Sequence, residues 1–217
     1  MIKIDLHTHS IGSPDGGIKP EEYAALLEND VLDYIAVTDH NTIHVAQMLH
    51  KSLGDRIIVG EEVMTRSGEL VGLYLTAPIA PGMSALDAAK AIKAQGGLVY
   101  VPHPLEKVRK GLTAEALETI ANYIDIVEVH NGRAVLQNEG PRAHTWARLN
   151  NKAIAASSDA HGQRGLGHTF SVVSKQPNAK NLTELLSRPH IVVNRPPLRS
   201  LLYPKYHRLK KKIGRNS

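Results

Sequence analysis

Histidines and carboxylates in this chain stand at the ends of short apolar runs. Asp5-Leu6-His7-Thr8-His9 closes the run that begins at Ile2, and Thr38-Asp39-His40 the run from Tyr34. Glu61-Glu62 follows Ile57–Gly60, Pro102-His103-Pro104 follows Leu98–Val101, and His130-Asn131 follows Ile124–Val129. Ser158-Asp159-Ala160-His161 follows Ala153–Ser157. His7 and His9 are one residue apart, as are Asp159 and His161. In extended backbone such residues share a side, so each pair can reach one cavity. The chain has no cysteine, which excludes thiolate sites and disulfides and leaves imidazole and carboxylate as ligands. That donor set suits Zn²⁺, Mn²⁺ or Fe²⁺. Asp15, in the loop Gly12-Ser13-Pro14-Asp15-Gly16-Gly17, follows the first pair closely enough to join it. A single strand-end histidine is more often a hydrogen-bonded core or surface residue, and Asp159 alone would read as a helix cap. Six such ends at once are poorly explained that way. His44, His50, His144, His190 and His207 lack this context and read as surface residues, and His168 fits neither group.

The elements that must position these groups alternate. Strands are expected at Ile2–Leu6, Tyr34–Thr38, Ile57–Gly60, Leu70–Leu75, Leu98–Val101, Ile124–Val129, Ala153–Ser157 and Thr169–Val173. Amphipathic helices fall between them. Pro20 suits a first helical position ahead of Glu21–Glu28. Ser84 caps a helix running to Gln95, and Gly96-Gly97 ends it. Thr113 caps another to about Tyr123, and a further helix covers roughly Gly140–Leu149. This order predicts βα units on a mostly parallel sheet, an α/β barrel whose strand ends converge on one face. Residues 1–194 form one domain on this reading, and 195–217 a basic C-terminal extension after Pro196-Pro197, most simply a solvated terminus.

The chain has 217 residues, 42% apolar and 22% charged, ordinary for one globular domain. No apolar run approaches the ~18 residues of a membrane span. The N-terminus lacks a signal-peptide layout, so a cytoplasmic protein is expected. The net charge of +5 conceals a division. Residues 195–217 hold eight Lys/Arg and no acid, leaving 18 basic against 21 acidic residues before them, a net of −3.

The same motifs resemble those of the PHP (polymerase and histidinol phosphatase) family: Asp5-Leu-His-Thr-His-Ser, Thr38-Asp-His-Asn-Thr, Gly60-Glu-Glu, Pro102-His-Pro, Glu128-Val-His-Asn and Ser158-Asp-Ala-His-Gly. The likeness continues through Gly165-Leu-Gly-His-Thr. It implies a distorted (β/α)7 barrel with a three-metal site, hydrolysing phosphate mono- or diesters. Carried over residue by residue, His7, His9, Glu62 and Asp159 hold one metal. Glu62 bridges to a second, held also by His103 and His130. Asp15, His40 and His161 hold the third. Glu62 is preferred to Glu61 because the family pattern is Gly-x-Glu and because Gly60 and Glu62 share a strand face.

Three carboxylates and six imidazoles around three divalent ions leave the site net positive, which favours a phosphoester. Paired metals lower the pKa of a shared water, and a third holds phosphate oxygens. His7, His9, Glu62, His103 and Asp159 form the catalytic set on this reading. Asp39 is expected to orient an imidazole, and Arg109, Arg133 and Arg164 to clamp phosphate. Between Pro104 and Asp125 there is room for only one helix, which predicts an open cleft. The substrate is then a phosphorylated small molecule, a nucleotide or a short oligonucleotide. One alternative is a nuclease in which the basic tail neutralises phosphates and Tyr203 and Tyr206 stack on bases. Another is a metal-binding regulatory module without turnover. An amidohydrolase also uses His-x-His at a barrel strand end, but Gly-x-Glu without a bridging lysine argues against it.

Overall fold

A computed structural model describes residues 1–135 and 137–214; Arg215, counted above in the basic segment, lies outside them. The order is β1 (Ile2–Asp5), α1 (Pro20–Glu28), β2 (Tyr34–Val37), α2 (His44–Leu53), β3 (Ile57–Thr65), β4 (Gly68–Leu73), α3 (Ala85–Ala94), β5 (Leu98–Val101), α4 (Ala114–Ile120), β6 (Ile126–Asn131), α5 (Gly140–Leu149), β7 (Ala153–Ser157), β8 (Thr169–Val173), α6 (Leu182–Leu185), β9 (His190–Val193) and α7 (Tyr203–Gly214). The caps are those the sequence announces. Ser84 Oγ accepts from Asp87 N, Thr113 Oγ1 accepts from Ala116 N, and Pro20 opens α1.

The strands form one sheet in the order β7-β6-β5-β4-β3-β2-β1-β8-β9, rolled into a nearly closed barrel in an α/β fold. Across the gap, Ser171 Oγ on β8 accepts from Ala156 N at 2.9 Å and donates to Ala156 O at 3.2 Å on β7, so a side chain ties β8 to the strand at the other end of the order. Alternation fills the barrel. Tyr34 and Ala36, Ile58, and Leu98 and Tyr100 pack in one buried cluster. Their neighbours Ile35 and Val37, Val59, and Val99 and Val101 pack in the other, with the helices. This is the two-residue period of a strand buried on both faces.

Two departures from a parallel barrel matter for the site. The β3–β4 pair is antiparallel, joined by a tight turn at Arg66-Ser67, and so is β4–β5. The start of β4 therefore reaches the same mouth as the end of β2. At β6, Glu128 pairs with Ala155 and His130 with Ala156, so two residues oppose one. This bulge breaks the alternation.

The basic segment, read above as a solvated terminus, is helical across Tyr203–Gly214 and lies on the barrel mouth. Its packing is close: a Cβ on Gly162 would come within 2.5 Å of the Tyr203 ring, and one on Gly17 within 2.1 Å of His207. No helix among the described residues is long and apolar enough to cross a membrane.

Candidate metal centre

His7, Thr8 and His9 follow β1 directly, and backbone bonds hold them in place. His9 N donates to Ala160 O at 2.8 Å, and Asp159 N donates to His7 O at 2.9 Å. The ends of β1 and β7 are thereby laced together, bringing His7, His9, Asp159 and His161 to one wall. Two candidate ligands, His103 (φ 28°) and Asp159 (φ 50°), have left-handed backbone without being glycine. Such conformations persist only where surroundings enforce them, and they cluster at functional sites.

Glu62 lies at the centre. Its Oε1 is 3.4 Å from His7 Nε2 and 3.2 Å from His103 Nε2. Its Oε2 is 3.3 Å from His9 Nε2 and 3.2 Å from His40 Nδ1. Asp159 Oδ1 lies 3.7 Å from His7 Nε2 and 3.5 Å from His9 Nε2. Asp15 Oδ1 faces Nε2 of His40 at 3.5 Å and Nε2 of His161 at 3.6 Å. The Nε2 atoms of His7 and His9 face each other at 3.1 Å. Ligands about 2.1 Å from a tetrahedral ion sit roughly 3.4 Å apart, so these spacings fit divalent cations. Among the described residues, four overlapping groups offer ligand atoms that all lie within 4.8 Å of one another: His7/His9/Asp159, His7/Glu62/His103, His9/His40/His161 and His40/Glu62/Glu69.

The electrostatics point the same way. Burial pushes the Asp159 and Glu62 carboxyls up, yet Arg133 and His7 for Asp159, and His7 and His40 for Glu62, hold both well below the usual range. Burial, then His9 and Arg133, keeps His161 well below an ordinary imidazole, so it presents a free lone pair. Glu69 is pushed up to about 10 by burial and by the repulsion of Glu62 and Asp159. A carboxylate there needs a cation.

Glu69 was not foreseen. Its carboxylate is 3.8 Å from both His40 Nδ1 and His103 Nε2. It stands near the start of an antiparallel strand, whereas the expected ligands all follow strand ends. The turn at Arg66-Ser67, too short for a crossover, was the available signal. Glu128 was also missed as a site residue. It accepts from Tyr100 Oη at 2.7 Å, His103 N at 2.6 Å and Asn131 Nδ2 at 2.8 Å. Its Oε1 lies 3.3 Å from His7 Nδ1, fixing the tautomer that turns Nε2 toward the cluster.

His130 is not brought to the cluster. The bulge leaves it exposed. Asp39 does not orient an imidazole either: Oδ1 accepts from Ser10 N at 2.6 Å, and Oδ2 accepts from Ser10 Oγ. It faces the loop rather than the metal groups, because it lies on the opposite side of the strand end from His40. Glu61 also faces away, accepting from Ile79 N at 2.7 Å.

A cavity of about 550 Å³ opens over the cluster, bordered by Arg109, Lys110, Arg133, Lys205 and Arg208. Arg133 Nη1 is 3.3 Å from Asp159 Oδ2 and 3.3 Å from His161 Nδ1. Arg109 pairs with Glu106 and bonds Asn131, with Nη1 3.7 Å from Asp159. Arg164 is exposed and outside the lining. A second cavity of about 700 Å³ lies beside His50, Tyr74 and Pro177, and shares no lining residue with the first.

A nearly closed α/β barrel that gathers imidazoles and carboxylates at one mouth defines a metal-binding barrel protein. The chain belongs to the PHP domain family, whose model matches residues 5–212. It is 33% identical to the uncharacterized protein MJ0417 of Methanocaldococcus jannaschii, over 78% of this chain and 69% of that protein. It is 29% identical to MJ1587 of the same organism, over 63% and 88%. Among solved structures, a two-domain Bacteroides vulgatus protein containing a predicted PHP-like metal-dependent phosphoesterase shares the fold. The TM-score is 0.71 at 21% identity, over 95% of this chain and 69% of that one. The lesion-specific endonuclease of Pyrococcus furiosus shares it with TM-score 0.62 at 16% identity, over 88% and 57%.

Proposed function

We propose that this chain is a metal-dependent phosphoesterase that hydrolyses a phosphorylated small molecule or nucleotide at a trinuclear site. Glu62 carries the reading: each of its oxygens faces two imidazoles from different elements, the arrangement of a bridging carboxylate. His7, His9, Glu62 and Asp159 would hold one ion; Glu62 and His103, with Glu69 beside them, a second; Asp15, His40 and His161 a third. Mn²⁺, Zn²⁺ or Fe²⁺ suits these donors, and bound there it supplies Lewis acidity and a water that ionises near neutral pH.

The protein's own groups do the rest. Glu128 holds the His7 ring so that Nε2 points inward. Arg133, beside Asp159 and His161, offers donors to a phosphate oxygen. Arg109 spends its donors on Glu106 and Asn131 and serves chiefly to hold that wall. Lys110 and Lys205 line the same cavity and draw in an anion.

Action on nucleic-acid ends is the second reading. The basic helix α7 at the cavity favours it, as does the fold shared with an endonuclease.

Phosphate release from a panel of monoesters, nucleotides and short 5′-phosphorylated RNA, with Mn²⁺ and with EDTA, tests both. Turnover that EDTA abolishes is expected. No turnover on any member, with metals bound, would leave a regulatory module instead.

A further inference from the structure

The loop that carries Asp15 is held partly by its own backbone, Ser13 N donating to Ser10 O at 3.1 Å and Gly16 N to Ser13 O at 3.3 Å, and partly by the end of β2, where His40 N donates to Ser13 Oγ at 3.3 Å. The backbone closes it at Ser10 and Ile18, where Ile11 N donates to Ile18 O at 2.9 Å. Within the loop, Asp15 receives one side-chain hydrogen bond, from Ser13 Oγ at 3.2 Å. Asp15 itself gains a second side-chain partner, and the loop further support, from the other end of the chain. Arg208 Nη2 donates to Asp15 Oδ2 at 2.6 Å across 193 positions. Lys211 Nζ, one turn further along α7, donates to Ile11 O at 2.8 Å, Gly16 O at 2.9 Å and Ser13 O. Both basic side chains therefore serve one nine-residue loop, whose carboxylate is buried.

The two oxygens of Asp15 are divided. Arg208 takes Oδ2, while Oδ1 points at the Nε2 atoms of His40 and His161 at 3.5 and 3.6 Å. An Asp15 free to rotate could turn either oxygen, or neither, toward those rings.

We infer that Arg208 is a positioning residue for Asp15, and that α7 thereby completes the third metal position. This rests on the trinuclear reading above. Arg208 is itself largely exposed, so the pair contributes through orientation more than through Coulomb energy. Partners of this kind typically change metal affinity 10- to 100-fold.

The test uses the full chain and Mn²⁺ alone. Metal per chain is measured by equilibrium dialysis with elemental analysis, at a free Mn²⁺ concentration that just saturates the wild type. Arg208→Ala is expected to hold two ions instead of three, with the lost ion bound roughly 10- to 100-fold more weakly. Arg208→Lys should recover part of that loss, and Lys212→Ala, elsewhere on α7, should match the wild type. Unfolding temperatures of all variants should agree, which separates positioning from loss of fold. An Arg208→Ala protein that keeps three ions at wild-type affinity overturns the inference. So does tighter binding, because the guanidinium would then be a competitor for Asp15. A wild type that binds fewer than three ions removes both this inference and the trinuclear reading, which tells the two failures apart.

Discussion

Glu128 Oε1 lies 3.3 Å from His7 Nδ1, and three further groups hold that carboxylate in place. Tyr100 Oη, His103 N and Asn131 Nδ2 all donate to it, so one buried acid sets both a ligand ring and the backbone of a second ligand. Glu128→Gln should keep the fold and weaken metal binding about 10- to 100-fold, with activity restored at high metal. Metal titration of the variant checks this. Unchanged affinity would mean that His7 does not depend on Glu128.

His103 and His130 are both expected as ligands, and only His103 lies within the cluster. His103→Ala should lose one ion and most turnover. His130→Ala should keep the wild-type metal content and remain within about 0.5 kcal/mol in stability, as an exposed residue would. Elemental analysis of both variants decides. Loss of metal in His130→Ala would show that β6 rearranges when the ions bind.

Arg133 and Arg164 were both expected to clamp phosphate, and the cavity lining contains only the first. A charged hydrogen bond is worth roughly 1.5–3 kcal/mol, so Arg133→Ala should lower kcat/KM about 10- to 100-fold. Arg164→Ala should change it little. Steady-state kinetics on any phosphoester that turns over would show the contrast.

Glu61 faces away from the imidazole and carboxylate cluster, and burial raises it to about 7. Between its ordinary value near 4.5 and about 7 the folded state holds a proton that the unfolded state has lost. Stability from this group is therefore present below pH 4.5 and declines as pH rises toward 7. Glu61→Gln should remove that decline, so its advantage over the wild type should grow from pH 5 to pH 8. Denaturant unfolding across that range measures it.

Much of this site could be read before any fold was known. The His-x-His and Asp-x-His spacings each predict two side chains on one side of a segment, and the residues that follow β1 and β7 do meet at one wall, although Asp159 gets there with left-handed rather than extended backbone. Glu62 and His103 follow from strand ends in the same way. Glu69 does not, because an antiparallel hairpin carries it to the mouth from the beginning of a strand. His130 was misplaced by a bulge, a feature that depends on how β6 pairs with β7 and leaves no mark in the residue types. Helix α7 was hidden by its charge. Eight basic residues suggest a solvated tail, while the acidic and carbonyl partners of Arg208 and Lys211 lie almost two hundred positions away.

Glu62 is proposed to join ions held by histidines from separate strands. Anomalous diffraction from crystals grown with Zn²⁺ tests it directly. Peaks are predicted about 2.0–2.2 Å from Glu62, with His7, His9 and Asp159 around one and His103 beside another. Saturating Zn²⁺ with no peak at that mouth, or with Glu62 outside every coordination sphere, would contradict it.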